Sequence, residues 1–417
     1  MLIGAVADDF TGATDLATTL RVRGFRTAVV IDDHDLSPAH LSELDAVVVA
    51  LKSRTAPVAT AVSESVGAAT RLLGWGAERI YAKYCSTFDS TDEGNIGPVL
   101  DALRSLLEAD RVVVVPAFPA NGRTVYRGHL FVGGDLLEDS SMRHHPLTPM
   151  TRSRLRDLLA PQTAAEIGEI PLATVRRGAG PLREALDAAA AGYVVVDAVD
   201  DDDLRTIAAA TADDRLISGG SGLALGLEGP TGGSGVDAVG SYAARRLVVC
   251  GSASATTRGQ IADAAGRHPV RRVDVAAATA DPAAEAAALA TWVRGLAPEA
   301  VPVVYSVGEP ADVRSADSLP GAATAVETVL STLVAGLVDH GDVDRVIVAG
   351  GETSGAVVQA LGVGVLDIGP QLAPGVCWSA ATTRSGRDVA LVLKSGNFGG
   401  VDLFSSAWGA LSPEVGA

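Results

Sequence analysis

The sequence contains little cysteine, few aromatic residues and a deficit of positive charge. Only three of its 417 residues are cysteine, Cys85, Cys250 and Cys377, and a sparse, odd number is typical of a reducing compartment without structural disulfides. Aromatic residues make up 4% of the chain, so we expect cores built from Val, Leu, Ile and Ala. The formal net charge of −17 disfavours binding to a polyanion, which requires a broad basic surface. Nucleic acid is therefore not an expected partner.

Long uninterrupted apolar runs are also missing. None reaches the roughly 18 residues that a membrane-spanning helix needs. The apolar stretch at the N-terminus is short and meets Asp8 and Asp9 at once, which is not the pattern of a signal peptide. The sequence therefore predicts a cytoplasmic protein with no membrane partner.

Short runs rich in β-branched residues alternate with longer helix-patterned stretches along the first half of the chain. These runs are LIGAVA, TAVVI, AVVVAL, RIYAK and RVVVVPA, with YVVVDAV at 193–199 and RLISGG at 215–220 as further strands. Such runs indicate strands buried on both faces, and the helices between them make the sheet parallel. The first half is predicted to be an α/β domain.

The second half of the chain repeats this pattern with a sheet of its own. Its apolar runs are RLVVCGSAS, RRVDVA, VPVVYSVG, RVIVAGGETS and VALVLKSGNFGG, separated by alanine-rich helical stretches. A chain of 417 residues is longer than a single core usually grows. We therefore predict two α/β domains, each a mainly parallel sheet flanked by helices, with the active site in the cleft between them.

The domain boundaries follow from composition. Residues 226–243 are glycine-rich, lack either periodicity and are predicted to be a linker. The predicted N-terminal domain is 1–225 and the predicted C-terminal domain is 244–417. The segment 121–180 is rich in turn residues and is predicted to be an irregular elaboration over a cleft.

The turns that follow the predicted strands carry most of the polar residues of interest. Ligands bind at the carboxyl ends of parallel strands, and the first strand ends at Asp8 and Asp9, followed by Thr11 and Gly12 at a helix start. These residues could supply a general base, a Mg²⁺ contact and anion-binding backbone amides. The alternative is that Asp9 or Thr11 only caps the helix.

Two further turns in the first half contain basic and hydroxyl side chains. The third strand ends in Lys52-Ser53-Arg54-Thr55 and the fourth in the run KYCSTFDST at 83–91. A substrate carboxylate calls for an Arg or Lys, with hydroxyl donors nearby for the substrate's own hydroxyls. Arg54 or Lys83 alone could be a solvated surface residue. Because strands that follow one another in sequence tend to be neighbours, the polar turns at their ends favour a shared cleft. The run Gly94–Gly97 indicates another helix start whose amides could face an anion.

Three glycine and hydroxyl turns follow strands in the second half. They are Gly251–Thr257, Gly350–Gly355 and Ser395–Gly400. Such turns suit a phosphorylated ligand, because the close approach of the backbone leaves no room for side chains. Each turn alone is a weak signal, but together they favour a nucleotide.

Several sharper motifs are missing from the sequence. No GxxxxGK[ST] phosphate-binding loop occurs, and the GxGxxA match at 233–238 has no strand before it, which argues against a dinucleotide fingerprint. The seven histidines show no zinc spacing, and no GxSxG elbow is present. Cys85 is expected to be a local packing residue rather than a nucleophile.

These motifs together resemble those of the four-carbon acid sugar kinases, bacterial enzymes that phosphorylate tetronates and their oxidised forms at the terminal hydroxyl. The matching segments span the chain and are ADDFTGATD (7–15), KSRT (52–55), NGRTVYRGHLFV (121–132), GGSGLA (219–224), GSAS (251–254), GGETSGA (350–356) and LKSGNFGG (393–400). The resemblance implies an N-terminal substrate domain and a C-terminal ATP domain. Where the threonate and erythronate kinases typically carry a DSTLRGN-like run, this chain has KYCSTFDST, and with HHPLTPM (144–150) this is similar to the 3-oxo-tetronate 4-kinase branch.

The turns and the resemblance together assign candidate roles to individual residues. The resemblance implies ATP, and phosphoryl transfer calls for Mg²⁺; our hypothesis makes Asp9 the catalytic base, with Asp8 or Asp89 as alternatives. The candidate substrate-binding residues are Thr11, Gly12, Ser53, Arg54, Lys83, Ser86 and Asp89. The candidate ATP-binding residues are Ser252, Ser254, Gly350, Gly351, Glu352, Thr353, Ser354, Gly355, Gly396, Asn397 and Gly399.

Three other functions are compatible with parts of the pattern. A D-threonate or D-erythronate kinase would use the same machinery, a dehydrogenase would use the glycine turns for NAD, and a non-catalytic sensor would bind the sugar acid without turnover. The missing dinucleotide fingerprint disfavours the dehydrogenase. The metal ligands and the oligomeric state are not determined by the sequence, and a homo-oligomer stays open.

Overall fold

The computed structural model describes residues 1–31, 34–145, 148–189, 192–230, 242–309, 312 and 320–411. The chain divides into two compact units, Met1–Gly235 and Val236–Ala417. Most of the predicted linker 226–243, and the GxGxxA match within it, lies outside the described residues.

The first unit is built around a parallel sheet, as predicted. Its strands are β1 (Ile3–Ala7), β2 (Thr27–Ile31), β3 (Ala46–Ala50), β4 (Arg79–Lys83), β5 (Arg111–Val115), β6 (Arg123–Tyr126), β7 (His129–Val132), β8 (Asp135–Leu136), β9 (Glu166–Ile170), β10 (Gly192–Val196) and β11 (Leu216–Gly219). The sheet has the order β2-β3-β1-β4-β11-β5-β10-β9, and each neighbouring pair in it is parallel. Strands β1, β3 and β10 are buried along their whole length, which explains their continuous apolar runs.

Helices connect these strands. They are α1 (Phe10–Val22), α2 (Pro38–Glu43), α3 (Val58–Gly74), α4 (Ile96–Leu106), α5 (Leu155–Leu159), α6 (Leu172–Val175), α7 (Ala179–Ala188) and α8 (Asp201–Ala210). Short 3₁₀ turns span Pro119–Asn121, Leu137–Asp139, Ser141–His144, Ala160–Gln162 and Ser221–Gly226. Along α1 the small or apolar residues from Gly12 to Leu20 are buried together with Asp15.

The prediction of an irregular segment at 121–180 was wrong for much of its length. Strands β6, β7 and β8 form a separate antiparallel sheet, and β9, α5, α6 and the start of α7 also fall in this range. The three strands of the small sheet have four, four and two residues. Elements this short carry almost no periodicity, so the turn residues between them dominated the sequence pattern.

The second unit contains strands β12 to β18. They are β12 (Arg245–Cys250), β13 (Val270–Arg272), β14 (Val303–Tyr305), β15 (Val343–Ala349), β16 (Val365–Ala373), β17 (Val376–Thr382) and β18 (Asp388–Lys394). The order is β13-β14-β12-β15-β18-β17-β16, with parallel pairs from β13 to β18 and antiparallel pairs beyond. The sheet is therefore mainly parallel, as predicted, but the hairpin β16–β17 was missed.

The helices of this unit are α9 (Ala255–Ala265), α10 (Val275–Ala280), α11 (Pro282–Gly295), α12 (Ala322–Asp339), α13 (Gly351–Leu361) and α14 (Leu403–Ser406), with a 3₁₀ turn at Ala407–Leu411. Part of its core forms around Trp378, which is fully buried, packs against Trp408 and donates its indole N–H to the Ala407 carbonyl at 2.9 Å.

Helix α12 is the one described helix whose length and composition would allow it to cross a membrane, with a mean hydropathy of 1.4 over 18 residues. The sequence analysis expected no apolar run of this length and so did not predict α12 as a candidate, because polar residues such as Glu327 interrupt its apolar residues. About 56% of the helix is buried inside the protein, and it packs against α10, α11 and α13. These contacts are those of a core helix.

Candidate functional site

The polar turns of the first unit meet because their strands are neighbours. Strand β1 lies between β3 and β4, and all three run in the same direction, so their carboxyl ends share one edge of the sheet. Backbone hydrogen bonds join the turns directly: Asp8 N–H donates to the Lys83 carbonyl at 3.1 Å, and the N–H groups of Ser53 and Arg54 donate to the Asp8 carbonyl at 3.0 and 3.1 Å.

Arg54 connects the two adjacent acids. Its Nε and Nη2 donate to the two carboxylate oxygens of Asp8, each at 2.8 Å, and Nη2 also donates to Asp9 Oδ1 at 2.7 Å. All three side chains are at least two-thirds buried. The bidentate pair fixes the orientation of Asp8, while Nη1 of Arg54 donates no hydrogen bond within the described residues.

The same pair separates the acidities of the two carboxyls. Burial raises the pKa of Asp8, but the charge and hydrogen bonds of Arg54 outweigh it, so the pKa lies below its usual value. Burial also raises the pKa of Asp9, and the neighbouring Asp8 charge adds to it against the effect of Arg54, so this pKa lies above its usual value. Two adjacent carboxyls with opposite shifts are typical of different chemical roles.

Asp9 also caps helix α1, as the alternative prediction had it. Its Oδ1 accepts a hydrogen bond of 3.0 Å from Gly12 N–H. A Cβ added at Gly12 would lie 2.3 Å from Asp9 Oδ1 and 2.7 Å from Lys83 Nζ. Gly12 is therefore required for close packing, and Lys83, which is buried, donates from Nζ to the Tyr84 carbonyl at 2.9 Å.

A small cavity of about 40 Å³ adjoins this cluster. Asp8, Ser53, Arg54, Lys83 and Asp89 line its polar side. Asp89 accepts a hydrogen bond of 2.5 Å from the Thr87 hydroxyl. Burial and the nearby Asp89 charge raise the pKa of Cys85 to about 11, so its thiol stays protonated at neutral pH, in line with the expected packing role.

The other predicted residues of this unit lie close by. Thr11 belongs to the first turn of α1, and Ser86 lies beside the glycine turn that follows β11, where a Cβ added at Gly220 would be 3.2 Å from Ser86 Cβ. Helix α4 starts at Ile96, as Gly94–Gly97 predicted, but Gly97 N–H donates to Gln162 Oε1 at 3.0 Å. That amide therefore has a partner inside the protein.

Sequence reasoning missed two polar residues next to the cluster. Asn95 donates from Nδ2 to the carbonyls of Ser53 and Ala56 at 2.7 and 2.8 Å and so fixes the turn that carries Arg54. Asp15 is buried on α1, three residues after Gly12. The three-residue spacing within ADDFTGATD was a usable signal for Asp15, because it places both residues on one face of a helix.

The three glycine turns of the second unit also meet. They follow β12, β15 and β18, which are neighbours in the sheet and parallel. Ser252 N–H donates to the Ala349 carbonyl at 3.1 Å, and Gly350 N–H donates to the Lys394 carbonyl at 2.9 Å. The structure thus brings together the turns that the sequence analysis assigned to one phosphorylated ligand.

Hydroxyl side chains connect these turns. Ser254 caps α9 by accepting from Thr257 N–H at 3.1 Å, and its hydroxyl donates to the Gly396 carbonyl at 2.6 Å. The Thr257 hydroxyl donates to the same carbonyl at 2.9 Å. A Cβ added at Gly396 would lie 2.1 Å from Ser252 Oγ, so the backbones can approach this closely only with glycine there.

A cavity of about 310 Å³ opens beside these turns, within the usual size range of small-molecule sites. Gly350, Gly351, Glu352 and Thr353 line it together with Ser252. Gly350 has φ +133, a conformation that favours glycine, and Gly351 begins α13. The predicted turn is therefore the N-terminus of a helix, where backbone amides favour a phosphate.

The remaining predicted ATP residues are further from that cavity. Ser354 is buried within α13, Gly355 follows it on the same helix, and Asn397 lies in the turn after β18. Gly399 has φ +84, and its carbonyl accepts a hydrogen bond of 3.2 Å from Gln260 Nε2. These four residues do not line the described cavity, so any contact with a nucleotide remains a prediction.

Lys394 is a third residue that sequence reasoning missed. Only 1% of it is exposed, and Nζ donates to Gly396 O at 3.2 Å and to Thr257 Oγ1 at 3.3 Å. Burial lowers its pKa to about 8, and no carboxylate in the described part of the chain forms an ion pair with it. The signal was its position as the last residue of a strand, directly before a glycine turn.

Comparison with known proteins agrees with this arrangement of two sites. Residues 3–227 match the model of a sugar-binding N-terminal domain, and residues 247–404 match that of a nucleotide-binding C-terminal domain. The chain belongs to the four-carbon acid sugar kinase family. The predicted family and the prediction of two α/β domains are both confirmed.

Relatives match over almost the whole chain. A Cupriavidus necator protein named 3-oxo-tetronate kinase is 46% identical and covers 97% of this chain and 96% of its own length. A Salmonella typhimurium protein of the same name is 41% identical, with 97% and 98% covered. These two enzymes carry the name of the kinase branch that the sequence analysis favoured.

Solved structures are similar as well. One from Salmonella typhimurium LT2 has a TM-score of 0.89 at 41% identity and covers 97% of this chain and 98% of its own. Another from Haemophilus influenzae has a TM-score of 0.84 at 39% identity and covers 98% and 100%. Both the sequence and the fold of this family member are therefore shared over its full length.

Proposed function

We propose that the chain is an ATP-dependent kinase that phosphorylates the terminal 4-hydroxyl of 3-oxo-tetronate. The observation that carries this proposal is the match, at up to 46% identity and over nearly the whole length, to relatives named 3-oxo-tetronate kinase. The polar cluster of the first unit and the glycine turns of the second unit supply the two kinds of site that such a reaction needs.

In the first unit, Asp9 is the proposed general base. Its raised pKa suits a carboxylate that takes the proton from the 4-hydroxyl as that oxygen attacks the γ-phosphorus of ATP and ADP leaves. Asp8 stays ionised because Arg54 holds it in a bidentate pair. Its proposed role is to fix the guanidinium, which then orients Asp9.

The substrate carboxylate is proposed to bind between Arg54 and Lys83. Nε and Nη2 of Arg54 already donate hydrogen bonds to Asp8 and Asp9. Nη1 is therefore the nitrogen that could donate to a ligand. Lys83 supplies a second positive charge from the end of β4. Ser53, Ser86 and Asp89 remain candidates for contacts with the substrate's hydroxyls.

In the second unit, ATP is proposed to bind along the adjoining turns at Ser252–Ser254, Gly350–Thr353 and Gly396–Gly399. The backbone amides at the start of α13 lie at a helix N-terminus, a position that favours the binding of a phosphate. Lys394 lies beneath the third turn without an acidic partner among the described residues. Nucleotide phosphates would supply its counter-charge.

Mg²⁺ is part of the proposal, as the ion that neutralises the phosphate oxygens during transfer. Within the described residues, no group of three or more His, Cys, Asp and Glu side chains is placed to hold a metal. Asp8 and Asp9 offer the oxygen ligands that Mg²⁺ prefers, but both pair with Arg54. The donor set therefore fits an ion held mainly by nucleotide phosphates.

A cytoplasmic location is also proposed. Cys85, Cys250 and Cys377 form no disulfide with one another, which suits a reducing compartment. ATP, the proposed phosphate donor, is a solute of that compartment.

A coupled assay of ADP release tests the proposed function. The purified chain is assayed with 3-oxo-tetronate, D-threonate and D-erythronate side by side, and the product is identified by mass spectrometry and ³¹P NMR. We expect 3-oxo-tetronate to have the highest kcat/KM and to yield the 4-phosphate. Preference for D-threonate or D-erythronate would move the chain to that branch, and no ADP release with any acid would contradict the kinase proposal.

A further inference from the structure

Three buried polar atoms near Lys83 have no hydrogen-bond partner within the described residues. They are Asp15 Oδ1, Ser221 Oγ and Arg123 Nε. Asp15 is only 9% exposed and Ser221 only 1%. An unsatisfied buried polar group is costly to the folded state, so three of them around one carboxyl point to a site that a ligand completes.

The three groups act on one another. Burial raises the pKa of Asp15 above its usual value, while the charge of Lys83, the nearby Ser221 hydroxyl and the charge of Arg123 act on the same carboxyl in the opposite direction. The contact between Ser221 and Asp15 nevertheless falls short of a hydrogen bond by geometry. Elsewhere, unpartnered atoms on Arg111 and Asp214 belong to side chains that pair with each other, whereas Asp15 Oδ1 accepts no hydrogen bond from any described residue.

The fold holds these residues firmly in place. Asp15 lies on α1, which packs against the 3₁₀ turn Ser221–Gly226. That turn follows β11, whose last residue Gly219 is aligned with Lys83 of β4. The Tyr81 hydroxyl donates to the Gly220 carbonyl at 2.5 Å and fixes the backbone just before Ser221. These contacts fix the backbone positions of both Asp15 and Ser221.

The chemistry of the group matches a polyhydroxylated ligand. A carboxylate accepts hydrogen bonds from hydroxyls, while a guanidinium and a serine hydroxyl donate to hydroxyl or carbonyl oxygens. A metal ion is disfavoured because the ammonium of Lys83 repels it. Ordered water alone is the other occupant that would satisfy these atoms.

We propose that Asp15, Ser221 and Arg123 form a subsite that binds a hydroxyl- or carbonyl-bearing carbon of the sugar acid and sets the enzyme's choice between oxidised and reduced tetronates. This subsite rests on the proposed function, since it names how the same site recognises its substrate. The subsite lies on the α1 side of Lys83 and would contribute to substrate specificity. Arg54 and Asp8 are not part of it.

Steady-state kinetics of Asp15→Asn and Ser221→Ala test the subsite. We expect Asp15→Asn to raise the KM for 3-oxo-tetronate by about tenfold or more and to change the ratio of kcat/KM between 3-oxo-tetronate and D-threonate, because its amide donates where the carboxylate accepts. Ser221→Ala should act in the same direction with a smaller effect. The KM for ATP should stay within about twofold of the wild-type value.

Thr19→Val is the matched control on the same helix, because among the described residues the Thr19 hydroxyl bonds to the Asp15 backbone carbonyl and to nothing else. It should leave the substrate ratio unchanged. If Asp15→Asn and Ser221→Ala both keep the wild-type KM and ratio, water fills the group and the subsite is wrong. If Asp15→Asn fails to fold, the ratio measured for Ser221→Ala decides.

Failure of the proposed function gives a different result. If the wild-type chain releases no ADP with any of the three acids, binding of D-threonate and 3-oxo-tetronate is measured by calorimetry. Weaker binding by Asp15→Asn than by Thr19→Val would then support the subsite without the kinase reaction. Equal binding by the two variants, or no binding by the wild-type chain, would overturn it.

Discussion

Arg54 and Asp8 form a bidentate pair with two hydrogen bonds of 2.8 Å, although 46 residues separate them in the sequence. The pair holds one carboxylate ionised, and the neighbouring Asp9 shares only one nitrogen of the guanidinium. Burial raises the pKa of both acids, but Arg54 outweighs it at Asp8, whereas at Asp9 the Asp8 charge adds to it, so the two pKa values move in opposite directions. This asymmetry is the basis for assigning the base to Asp9.

Asp9→Asn should lower kcat by about 10²–10⁴-fold, the usual contribution of a general base. Asparagine is as good an N-cap as aspartate, so the hydrogen bond from Gly12 and the start of α1 are preserved. The KM for ATP should not change. Because the pKa of Asp9 lies above its ordinary value of 3.8, the acidic limb of the kcat/KM profile should lie above that value. Near-normal turnover of Asp9→Asn would show that another group is the base.

Arg54→Lys should destabilise the first unit by about 3 kcal/mol or less, because a lysine cannot replace the bidentate contact and leaves Asp8 partly uncompensated. The measurement is chemical denaturation of the wild type and the variant. Because the folded pKa of Asp8 is lowered, the stability that its ionised form contributes is present above its unfolded pKa and is lost as the pH falls. The difference between the two proteins should therefore shrink below pH 3.8. A pH-independent difference would contradict an electrostatic origin.

Gly12→Ala should abolish turnover of the sugar acid, since its Cβ would lie 2.3 Å from Asp9 Oδ1 and 2.7 Å from Lys83 Nζ. One of these two charged groups must move. Gly67→Ala is the matched control, because no atom lies within 4 Å of a Cβ built there, inside α3. It should keep full activity and gain about 0.5–1 kcal/mol in stability from helix propensity. Kinetics and thermal denaturation of both variants test these predictions. If Gly12→Ala kept its activity, the close packing of Gly12 against Asp9 and Lys83 would be contradicted.

Lys394→Met should raise the KM for ATP by about tenfold while leaving the ligand-free protein as stable as the wild type or more so. The fall of the lysine pKa from 10.5 to about 8 corresponds to a burial cost of about 3 kcal/mol, which an apolar side chain of similar length avoids.

The pH dependence of stability provides the control for Lys394. Its folded pKa lies below the unfolded one, so between pH 8 and 10.5 the unfolded state binds more protons, and this lysine makes stability rise with pH. Denaturation at a series of pH values should show this rise in the wild type relative to Lys394→Met. Parallel curves of stability against pH for the two proteins, or an unchanged KM for ATP in Lys394→Met, would contradict the role assigned to the charge of Lys394.

The long buried strands and the turns after them could be predicted from sequence, because β1 and β3 carry continuous apolar runs that are soon followed by polar residues. The hairpin β16–β17 could not be predicted from the sequence. Its polar residues Asp367 and Gln371 interrupt the apolar pattern, and no helix separates it from β18. The short strands β6 to β8 were hidden for a similar reason.

The sequence by itself determined the family, the two α/β domains and the strand-end turns that carry the candidate residues, since those features depend on local composition and on motifs. Only the tertiary structure decided which partners these residues have. It paired Arg54 with both Asp8 and Asp9, placed Lys394 beneath a glycine turn and left Asp15 beside Ser221 without a hydrogen bond. These outcomes depend on strand order and helix packing, which bring together residues that are far apart in the chain, and on burial, which determines how strongly their charges interact.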